Sequence, residues 1–437
     1  MPPRPQLDLD GPIVSRRALL LGIAAATAAA PLAACGGSPP VPQLLVAEGV
    51  ARAQPAPDAP TDDVRAAMTA FAHRMITSRA ATARNTIVSP LSIACAFAMA
   101  RVGAAGTTAA QLDQVFGFPR QGRDAAFNAI TRELATTDGP PSKIGKWKPG
   151  TPAPKPVVSL GNALFTAKAL HVGEPFLRVL AADYGTGARP VDYRSGDATA
   201  QIDAWVRQQT AGRITKLFDR LDPSTLLVLA NAIYFKGYWA SPFVPHGAVD
   251  QSFTRADGSR VTASTMSQTG SFRYASVNGV QALEMPYAGG PYTMLLLLPA
   301  PGGSPADTLD PATVDAVTAA LTAQPVSVSV PRFDLRTDLD LGAALLALGL
   351  TAPFGTGADF SGIVPGLFIT QAVHRATITV DEQGTEAAAA TGVSMDTAGA
   401  VTPPLSFHAD RPFAFTILGG QHRVPLFAGQ VSDPTTT

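Results

Sequence analysis

The sequence predicts an α+β fold built as one large domain. Segments with helical periodicity crowd the first half of the chain, and segments with strand-like alternation crowd the second half. Residues 226–235 form an almost unbroken apolar run that ends in β-branched and aromatic residues, which is typical of a strand buried on both faces of a large sheet. Residues 413–418 and 426–431 predict a hydrophobic hairpin that closes the fold.

Helices are expected mainly before residue 211. A helix over 64–82 places its apolar residues on one face, and a second begins at Ser89-Pro90, where serine is a good N-cap and proline suits the first turn. Further helices are expected at 108–116, 124–135, 179–186, 198–210 and 338–350. Strands are expected at 85–88, 157–165, 226–235, 253–274, 282–287, 293–299, 326–333, 377–380, 413–418 and 426–431.

Composition excludes some function classes. The chain has 33 basic and 33 acidic residues, and this neutral balance gives no support for binding nucleic acid. Four lysines in residues 138–156 favour a solvated surface loop, with contact to a polyanion as the alternative.

Local catalytic and phosphate-binding motifs are absent, so we expect no enzyme, no catalytic residue, no metal and no cofactor. A hydrolase stays open as a minor alternative, because any of the six histidines could meet a serine in the folded chain.

The N-terminus resembles an export signal. Arg16-Arg17 precedes an apolar run that ends in small residues before Cys35, similar to a Tat-like lipoprotein signal peptide over 1–35. On this interpretation Cys35 is lipidated, and the protein is anchored outside the cytoplasmic membrane or is extracellular. A membrane-spanning helix is the alternative, although the run is short for one. Residues 36–62 are rich in proline and alanine and predict a tether.

With Cys35 lipidated, Cys95 has no disulfide partner in the chain, and we expect it to be a buried, inert thiol.

The stretch 379–405 alternates in an unusual way. It opens with β-forming residues and continues into an alanine-rich run that ends in glycine, serine, threonine and two prolines. Positions of odd number from Thr385 to Met395 are small or apolar, whereas those of even number from Glu386 to Asp396 carry every charge. Because a strand places successive side chains on opposite faces, this is either a flexible Ala/Gly-rich loop or a strand able to bury one face.

Several motifs, taken in chain order, resemble the serpin family over residues 63–434. They are 85–98 (NTIVSPLSIACAFA), 161–165 (GNALF), 202–214 (IDAWVRQQTAGRI), 231–239 (NAIYFKGYW), 285–287 (MPY) with 294–299, 330–333 (VPRF) and 409–413 (ADRPF). The resemblance implies one large domain with a main mixed β-sheet, two smaller sheets, eight to nine helices and an exposed reactive loop over about 382–405.

The resemblance also implies a mechanism. A protease attacks the reactive loop and forms an acyl-enzyme, and the cleaved loop then inserts into the main sheet as a new strand. Insertion requires small residues on the buried face, which fits the alternation. The residues matching the inhibitory hinge are Glu382, Gly384, Thr385, Glu386, Ala387, Ala388, Ala389, Ala390 and Thr391.

The family's usual spacing places the reactive bond at Ala398–Gly399, within a window of 395–400. Small, uncharged residues there imply an elastase- or subtilisin-like serine protease as target, with cysteine proteases as a second class. We expect a monomer. A non-inhibitory serpin-fold binding protein is the alternative.

Two further groups of residues are implied by the resemblance. Ser89, Ser92, Asn231 and His374 match a polar cluster beneath the point where the main sheet must part. Glu382 and Arg332, beside Trp239, match a charge pair and an aromatic residue where the loop joins the sheet, and we predict this ion pair.

Overall fold

The computed structural model describes residues 40–80, 85–137, 140, 141, 147, 151–386 and 403–436. The described residues belong to one compact unit. Its α-helices are α1 (Thr61–Ala80), α2 (Pro90–Val102), α3 (Gly106–Phe116), α4 (Arg123–Leu134), α5 (Glu174–Val179), α6 (Ala198–Gln209), α7 (Pro311–Ala320) and α8 (Leu341–Ala347).

The strands of the described residues are β1 (Thr86–Val88), β2 (Val157–Ala167), β3 (Ala188–Val191), β4 (Leu227–Tyr238), β5 (Val249–Thr254), β6 (Arg260–Val277), β7 (Val280–Pro286), β8 (Tyr292–Leu298), β9 (Thr322–Pro331), β10 (Phe333–Asp340), β11 (Gln371–Asp381), β12 (Gly384–Thr385), β13 (Leu405–His408), β14 (Phe413–Gly419) and β15 (Val424–Val431).

Within the described residues the main sheet has six strands in the order β10-β11-β12-β4-β2-β3 and is mixed. β4 pairs antiparallel with β2 on one side and parallel with β11 on the other. Every residue of β4 except Lys236 is buried, because both faces of the sheet are covered. The prediction of a doubly buried central strand at 226–235 is therefore confirmed.

The second sheet, in the part of the chain that the structure describes, has nine strands in the order β1-β15-β14-β8-β7-β6-β9-β13, with β5 paired to β6. β6 is 18 residues long and pairs with β5, β7 and β9 along its length. The strands expected as two smaller sheets are continuous here because this long strand joins them. The predicted closing hairpin is β14 and β15, which pair antiparallel and are entirely buried.

Helix α2 lies between the two sheets. The Ser89 hydroxyl accepts a hydrogen bond from the Ser92 backbone N–H, and Pro90 occupies the first turn, as the sequence predicts. Its residues from Pro90 to Ala100 are all buried. The helix includes Cys95, whose pKa burial raises to about 12, so the thiol stays protonated.

Two helical segments differ from expectation. The chain at 179–186 forms a π-helical turn at Leu180–Tyr184 rather than an α-helix. The helix expected at 338–350 begins only at Leu341, because residues 333–340 alternate strictly between buried and exposed and form β10. No helix among the described residues is long and apolar enough to cross a membrane.

Residues 40–54, which we name the strap, lie against the folded domain. The backbone of Leu45 forms two hydrogen bonds with Ala188 on the edge strand β3, of 2.7 and 3.0 Å. Arg52 donates to the side chains of Asn128 and Thr131 at 2.9 and 2.6 Å. Close approach requires glycine at 187, where a Cβ atom would lie 2.0 Å from the Leu45 carbonyl oxygen. In this stretch the structure differs from the free tether expected over 36–62.

Candidate functional site

The inhibitory hinge begins at one end of the main sheet, which we name the hinge end, and the turn that follows β11 forms this end. The Asp381 carboxylate accepts hydrogen bonds from the backbone N–H groups of Gln383 and Gly384, at 2.8 and 3.2 Å. After this turn the chain reverses direction, and Gly384 and Thr385 form β12. This strand pairs with β11 on one side and with β4 on the other. Gly384 has φ +153°, and a Cβ atom there would lie 2.0 Å from the carbonyl oxygen of Gly237. Only glycine fits this position.

Strands β4 and β11 pair directly over only part of their length. Their paired residues run from Val228↔Gln371 to Asn231↔His374. Nearer the hinge end, β12 lies between the two strands, with Gly384 opposite Tyr238 and Thr385 opposite Gly237. The sheet is thus parted at this end and already holds the first two residues of an additional strand.

The alternation predicted for the loop is present in its first two described positions. Thr385 is 1% exposed, and its hydroxyl lies 2.6 Å from the buried Tyr287 hydroxyl. Glu386 carries the charge on the next position, and its carboxylate lies 2.8 Å from Nε of Arg213 and accepts a hydrogen bond from Tyr234. Thr385 is therefore packed in the interior as the last residue of β12, and Glu386, just beyond the strand, is held by charged and polar groups.

The Glu386 carboxylate is buried although it is charged. Its side chain is only 7% exposed, while that of Arg213 is 43% exposed. Burial raises the pKa of the Glu386 carboxyl, and the attraction of Arg213 and the Tyr234 hydrogen bond only partly offset this. The backbone at Glu386 has φ +58°, a left-handed conformation that is uncommon for glutamate and that ends the strand.

Arg213 also ties the loop to β11. Its second guanidinium nitrogen donates to the Thr379 hydroxyl at 2.8 Å, and the Glu386 N–H donates to the Thr379 carbonyl at 2.9 Å. This role of Arg213 was not predicted from the sequence, although the residue lies inside the motif 202–214. Glu386, its partner, is 173 positions away in the sequence. The only available signal was that Glu386 belongs to the even-numbered positions that carry the charges.

The predicted ion pair between Glu382 and Arg332 is present. The Glu382 side chain is 6% exposed and that of Arg332 is 40% exposed. Trp239 lies beside the pair, where its indole N–H donates to the Asp381 carbonyl at 3.0 Å. Its ring stacks on Tyr287 with centroids 4.5 Å apart, so Trp239 supports both the turn and the residue that contacts Thr385.

The predicted polar cluster also comes together, where β4 and β11 still pair. The Ser89 N–H donates to Nε2 of His374 at 3.1 Å, which makes Nε2 the acceptor. Nδ1 therefore carries the proton and donates to Oδ1 of Asn231 at 2.8 Å. Burial lowers the pKa of His374 to about 3, so the ring is neutral. Ser92 is buried next to the cluster, and its backbone N–H donates to the Ser89 hydroxyl at 3.2 Å, but its own hydroxyl has no hydrogen-bond partner among the described residues.

This cluster links the two strands that insertion would separate. Asn231 belongs to β4 and His374 to β11, and the two residues are opposite each other in the parallel register. Their hydrogen bond must break before a strand can pass further between them.

The other predicted site residues lie outside the described residues. They are Ala387, Ala388, Ala389, Ala390, Thr391, the reactive bond Ala398–Gly399 and the lipidation candidate Cys35. Within the described ranges no group of three or more His, Cys, Asp or Glu side chains is arranged to hold a metal ion.

Comparison with known sequences identifies the family. A family model described as "Serpin (serine protease inhibitor)" matches residues 66–434. The chain belongs to the serpin family. This serpin is 34% identical to human antithrombin-III over 371 residues, which cover 80% of this chain and 76% of the relative. It is 32% identical to the bovine leukocyte elastase inhibitor over 375 residues, which cover 80% and 94% of the two chains.

Solved structures agree with the observed fold. Human thyroxine-binding globulin, solved in complex with thyroxine, superposes on the serpin with a TM-score of 0.74 at 28% identity. The match covers 86% of this chain and all of the other. The predicted family and fold class are therefore confirmed.

Proposed function

We propose that this serpin is a suicide-substrate inhibitor of serine proteases rather than an enzyme. The observation that carries the proposal is the parted main sheet, in which Gly384 and Thr385 already occupy the first two positions of an inserted strand. Continuing the antiparallel register would take each later loop residue one step further along β4. Ala387 and Ala389 follow Thr385 on the odd-numbered side, and their small size suits the side that must be buried.

The free energy for insertion would come from new ladder hydrogen bonds and from burial of small apolar side chains. Neither contribution can be gained before the loop is cut. The uncut form therefore persists because of a kinetic barrier and not because it has the lowest free energy. The His374–Asn231 hydrogen bond and the direct pairing of β4 with β11 hold the sheet closed below β12 until then.

The proposed target is a serine protease with a small, apolar primary pocket, elastase- or subtilisin-like, with cysteine proteases as a second class. The basis is the sequence of the 395–400 window, which contains no arginine or lysine. We propose that the protein acts as a monomer.

The decisive experiment is incubation with pancreatic elastase, subtilisin and trypsin, followed by denaturing electrophoresis and mass mapping of the loop. We expect a covalent complex with elastase or subtilisin and cleavage within 395–400. The same proteases inactivated at the catalytic serine should form no complex, because no acyl-enzyme can form. A stable complex with trypsin instead would refute the proposed target class.

A non-inhibitory binding protein is the alternative, since thyroxine-binding globulin has the same fold. Simple cleavage by every protease, with no covalent complex, would favour this alternative.

We further propose that the protein is exported and anchored through a lipid on Cys35, outside the cytoplasmic membrane. The support is the twin arginine and the small residues before Cys35. The test is incorporation of labelled fatty acid and detergent-phase partitioning of the wild type and of Cys35→Ala. Equal labelling of both forms would contradict the assignment, and the protein would then be extracellular or held in another way.

A further inference from the structure

The main sheet has an open edge beside β3. β2 runs from Val157 to Ala167, but β3 pairs only with its residues 164–167. The first half of β2 therefore has β4 on one side and, among the described residues, no strand on the other. A cavity of about 450 Å³ lies along this unpaired edge, and its volume is within the size range of binding sites. None of the residues proposed for protease inhibition lines it.

The backbone of β2 points hydrogen-bonding groups into this cavity. Val158 bonds away from β4: its carbonyl accepts from the Thr136 N–H at 3.0 Å, and its own N–H donates to the Thr136 hydroxyl at 2.7 Å. Because the backbone groups of a strand alternate in direction with each residue, those of Leu160 and Asn162 also point away from β4. Both residues line the cavity, and their backbone groups form no hydrogen bond on this side to any described residue. An edge of this kind is a template for another strand.

The open stretch has defined ends. It begins after Val158, which is already bonded, and ends at Leu164, where β3 begins to pair with β2. These six residue steps span about 20 Å. Gly185 and Thr186, which precede β3, also line the cavity, together with Leu44 of the strap. The space along the edge thus has the length of an extended segment of about four residues.

At this edge, the face of the main sheet that α6 covers provides a cationic and an amide side chain. Arg189 lies on this face, because it is opposite Phe165 in the strand register and Phe165 packs against α6. Its guanidinium donates to the Pro42 carbonyl of the strap at 2.5 Å and makes no ion pair within the described residues. Gln209 lies over Gly161 on the same face. A guanidinium has five donors in a planar fork, so Arg189 keeps donors for a carboxylate.

The other face of the sheet, which α2 covers, provides Leu160 and Asn162. Leu160 packs against the core on this side. Asn162 lies two residues further along β2 and so on the same face, and its Oδ1 atom is buried with no hydrogen-bond partner among the described residues. A strand lying in the cavity would place alternate side chains on the two faces. Acidic side chains would then meet Arg189 and Gln209, and small apolar or hydroxyl side chains would meet Leu160 and Asn162.

We propose that the open edge of β2 binds an extended acidic segment of another protein as an additional strand. The backbone of the partner pairs with the outward N–H and C=O groups of Leu160 and Asn162, and its carboxylates pair with Arg189. Backbone pairing supplies affinity for an extended segment, and Arg189 selects the acidic ones. The chain's own residues 141–150 do not fit this selection, because they contain three lysines and no acidic residue.

Hydrogen exchange resolved to single amides tests the open edge in the free protein. We expect the N–H groups of Leu160 and Asn162 to exchange at least about tenfold faster than those of Gly161 and Ala163, which face β4. Equally slow exchange at all four would mean that the edge is already covered, and would overturn the proposal. If the exchange of Leu160 and Asn162 became fast only on dilution, a second copy of the chain would be the occupant instead.

The probe is the amidated peptide Thr-Glu-Val-Glu-Thr with an N-terminal fluorescein, followed by fluorescence anisotropy. We expect saturable binding, and binding at least about tenfold weaker when lysine replaces both glutamates, because a charged contact is lost. Methylating alternate peptide nitrogens, either at both glutamates or at valine and the last threonine, separates strand pairing from charge attraction. Only one of these two patterns removes N–H groups that face β2, so only one should weaken binding by about tenfold or more.

The charge is tested with Arg189→Met, which keeps an apolar stem of similar length. We expect it to weaken binding of the glutamate peptide by about tenfold or more, because a hydrogen-bonded charge contact is lost. The matched control is Arg194→Met, a change at an exposed arginine outside the cavity, which should bind the peptide as the wild type does. The comparison of methylated peptides uses the wild-type protein and so does not depend on the folding of Arg189→Met.

With the unlabelled peptide bound, we expect the exchange of the Leu160 and Asn162 amides to slow. No binding at millimolar peptide, equal effects of the two methylation patterns, or protection at Asn231 and His374 in place of Leu160 and Asn162 would each overturn the proposal. The last result would mean that the peptide enters the parted main sheet between β4 and β11 instead.

Discussion

Replacing Arg213 with methionine removes the cation that holds Glu386 while keeping an aliphatic stem. The carboxylate would remain 7% exposed, now without the guanidinium at 2.8 Å. Because burial already raises the pKa of Glu386, losing Arg213 leaves its charged form poorly compensated. We therefore expect residues 384–386 to leave the main sheet more often.

The size of the effect follows from the exposure of the two side chains. Removing one partner of a fully buried ion pair costs about 3–5 kcal/mol, whereas exposed pairs contribute about 0–1 kcal/mol. Arg213 is 43% exposed, so solvent screens much of the attraction, and we take about 1–2 kcal/mol as the loss. This corresponds to a rise of about 5–30-fold in the open population of the hinge.

The assay is hydrogen exchange followed by mass spectrometry on peptides that cover residues 382–386. The Glu386 N–H donates to the Thr379 carbonyl at 2.9 Å, so its exchange rate reports local opening of this segment. We expect the amide to exchange about 5–30-fold faster in Arg213→Met than in the wild type.

The control is Arg220→Met, the same change at an exposed arginine that makes no ion pair within the described residues. An increase below about twofold in the exchange rate of Arg213→Met would refute the role of the ion pair, because about 5–30-fold is expected. An equal increase in Arg220→Met would also refute it, because Arg220 makes no ion pair within the described residues. Glu386→Gln supplies a second test, since combining it with Arg213→Met should add little if the two side chains act as a pair.

Three further changes test the rest of the site. Thr385→Arg places a long cation at a position 1% exposed, so we expect protease trapping to fall by about tenfold or more while cleavage continues; full trapping stoichiometry would contradict insertion. Glu382→Lys sets two cations together at Arg332, and we expect ladders of polymers on native gels where the wild type stays monomeric. His374 has its pKa lowered from 6.5 to about 3, so the unfolded chain binds a proton that the folded chain does not. Stability should fall with pH from about 6.5 towards 3, by about 1.4 kcal/mol per pH unit from this residue, and urea unfolding of His374→Gln should lack this contribution; an identical slope would exclude it.

Elements with a strong, local pattern were predictable from the sequence. The capped helix α2, the buried strand β4 and the closing hairpin each have a periodicity or composition that fits a single kind of structural element and degree of burial. Strand β10 was missed because residues 338–340 were assigned to the helix that follows them and residues 334–337 were assigned to no element. The docking of the strap was missed because it depends on Gly185 and Gly187, whose lack of side chains matters only once Arg52 and Leu45 approach them.

The site was predictable to the extent that motifs carried it. The motifs led to the Glu382–Arg332 pair and to the His374–Asn231 contact, both of which the structure contains. Tyr287 lies in the quoted motif 285–287, but the motif did not predict that its hydroxyl contacts Thr385, which is 98 positions away in the sequence. Such long-range contacts depend on the register of β12 against β4, and no single segment of the sequence encodes that register.

The docked strap also determines how the domain would respond to attachment at its N-terminal side. The strap runs antiparallel to β3, so the chain before Leu45 passes towards Val191, at the end of the main sheet remote from the hinge. The length of β4, 12 residues, separates the two ends by about 40 Å. A surface or a pulling force applied through residue 40 would therefore load the β3 edge first, through Leu45 and the Arg189–Pro42 contact. The hinge end would face away from the point of attachment, free to meet a protease from solution.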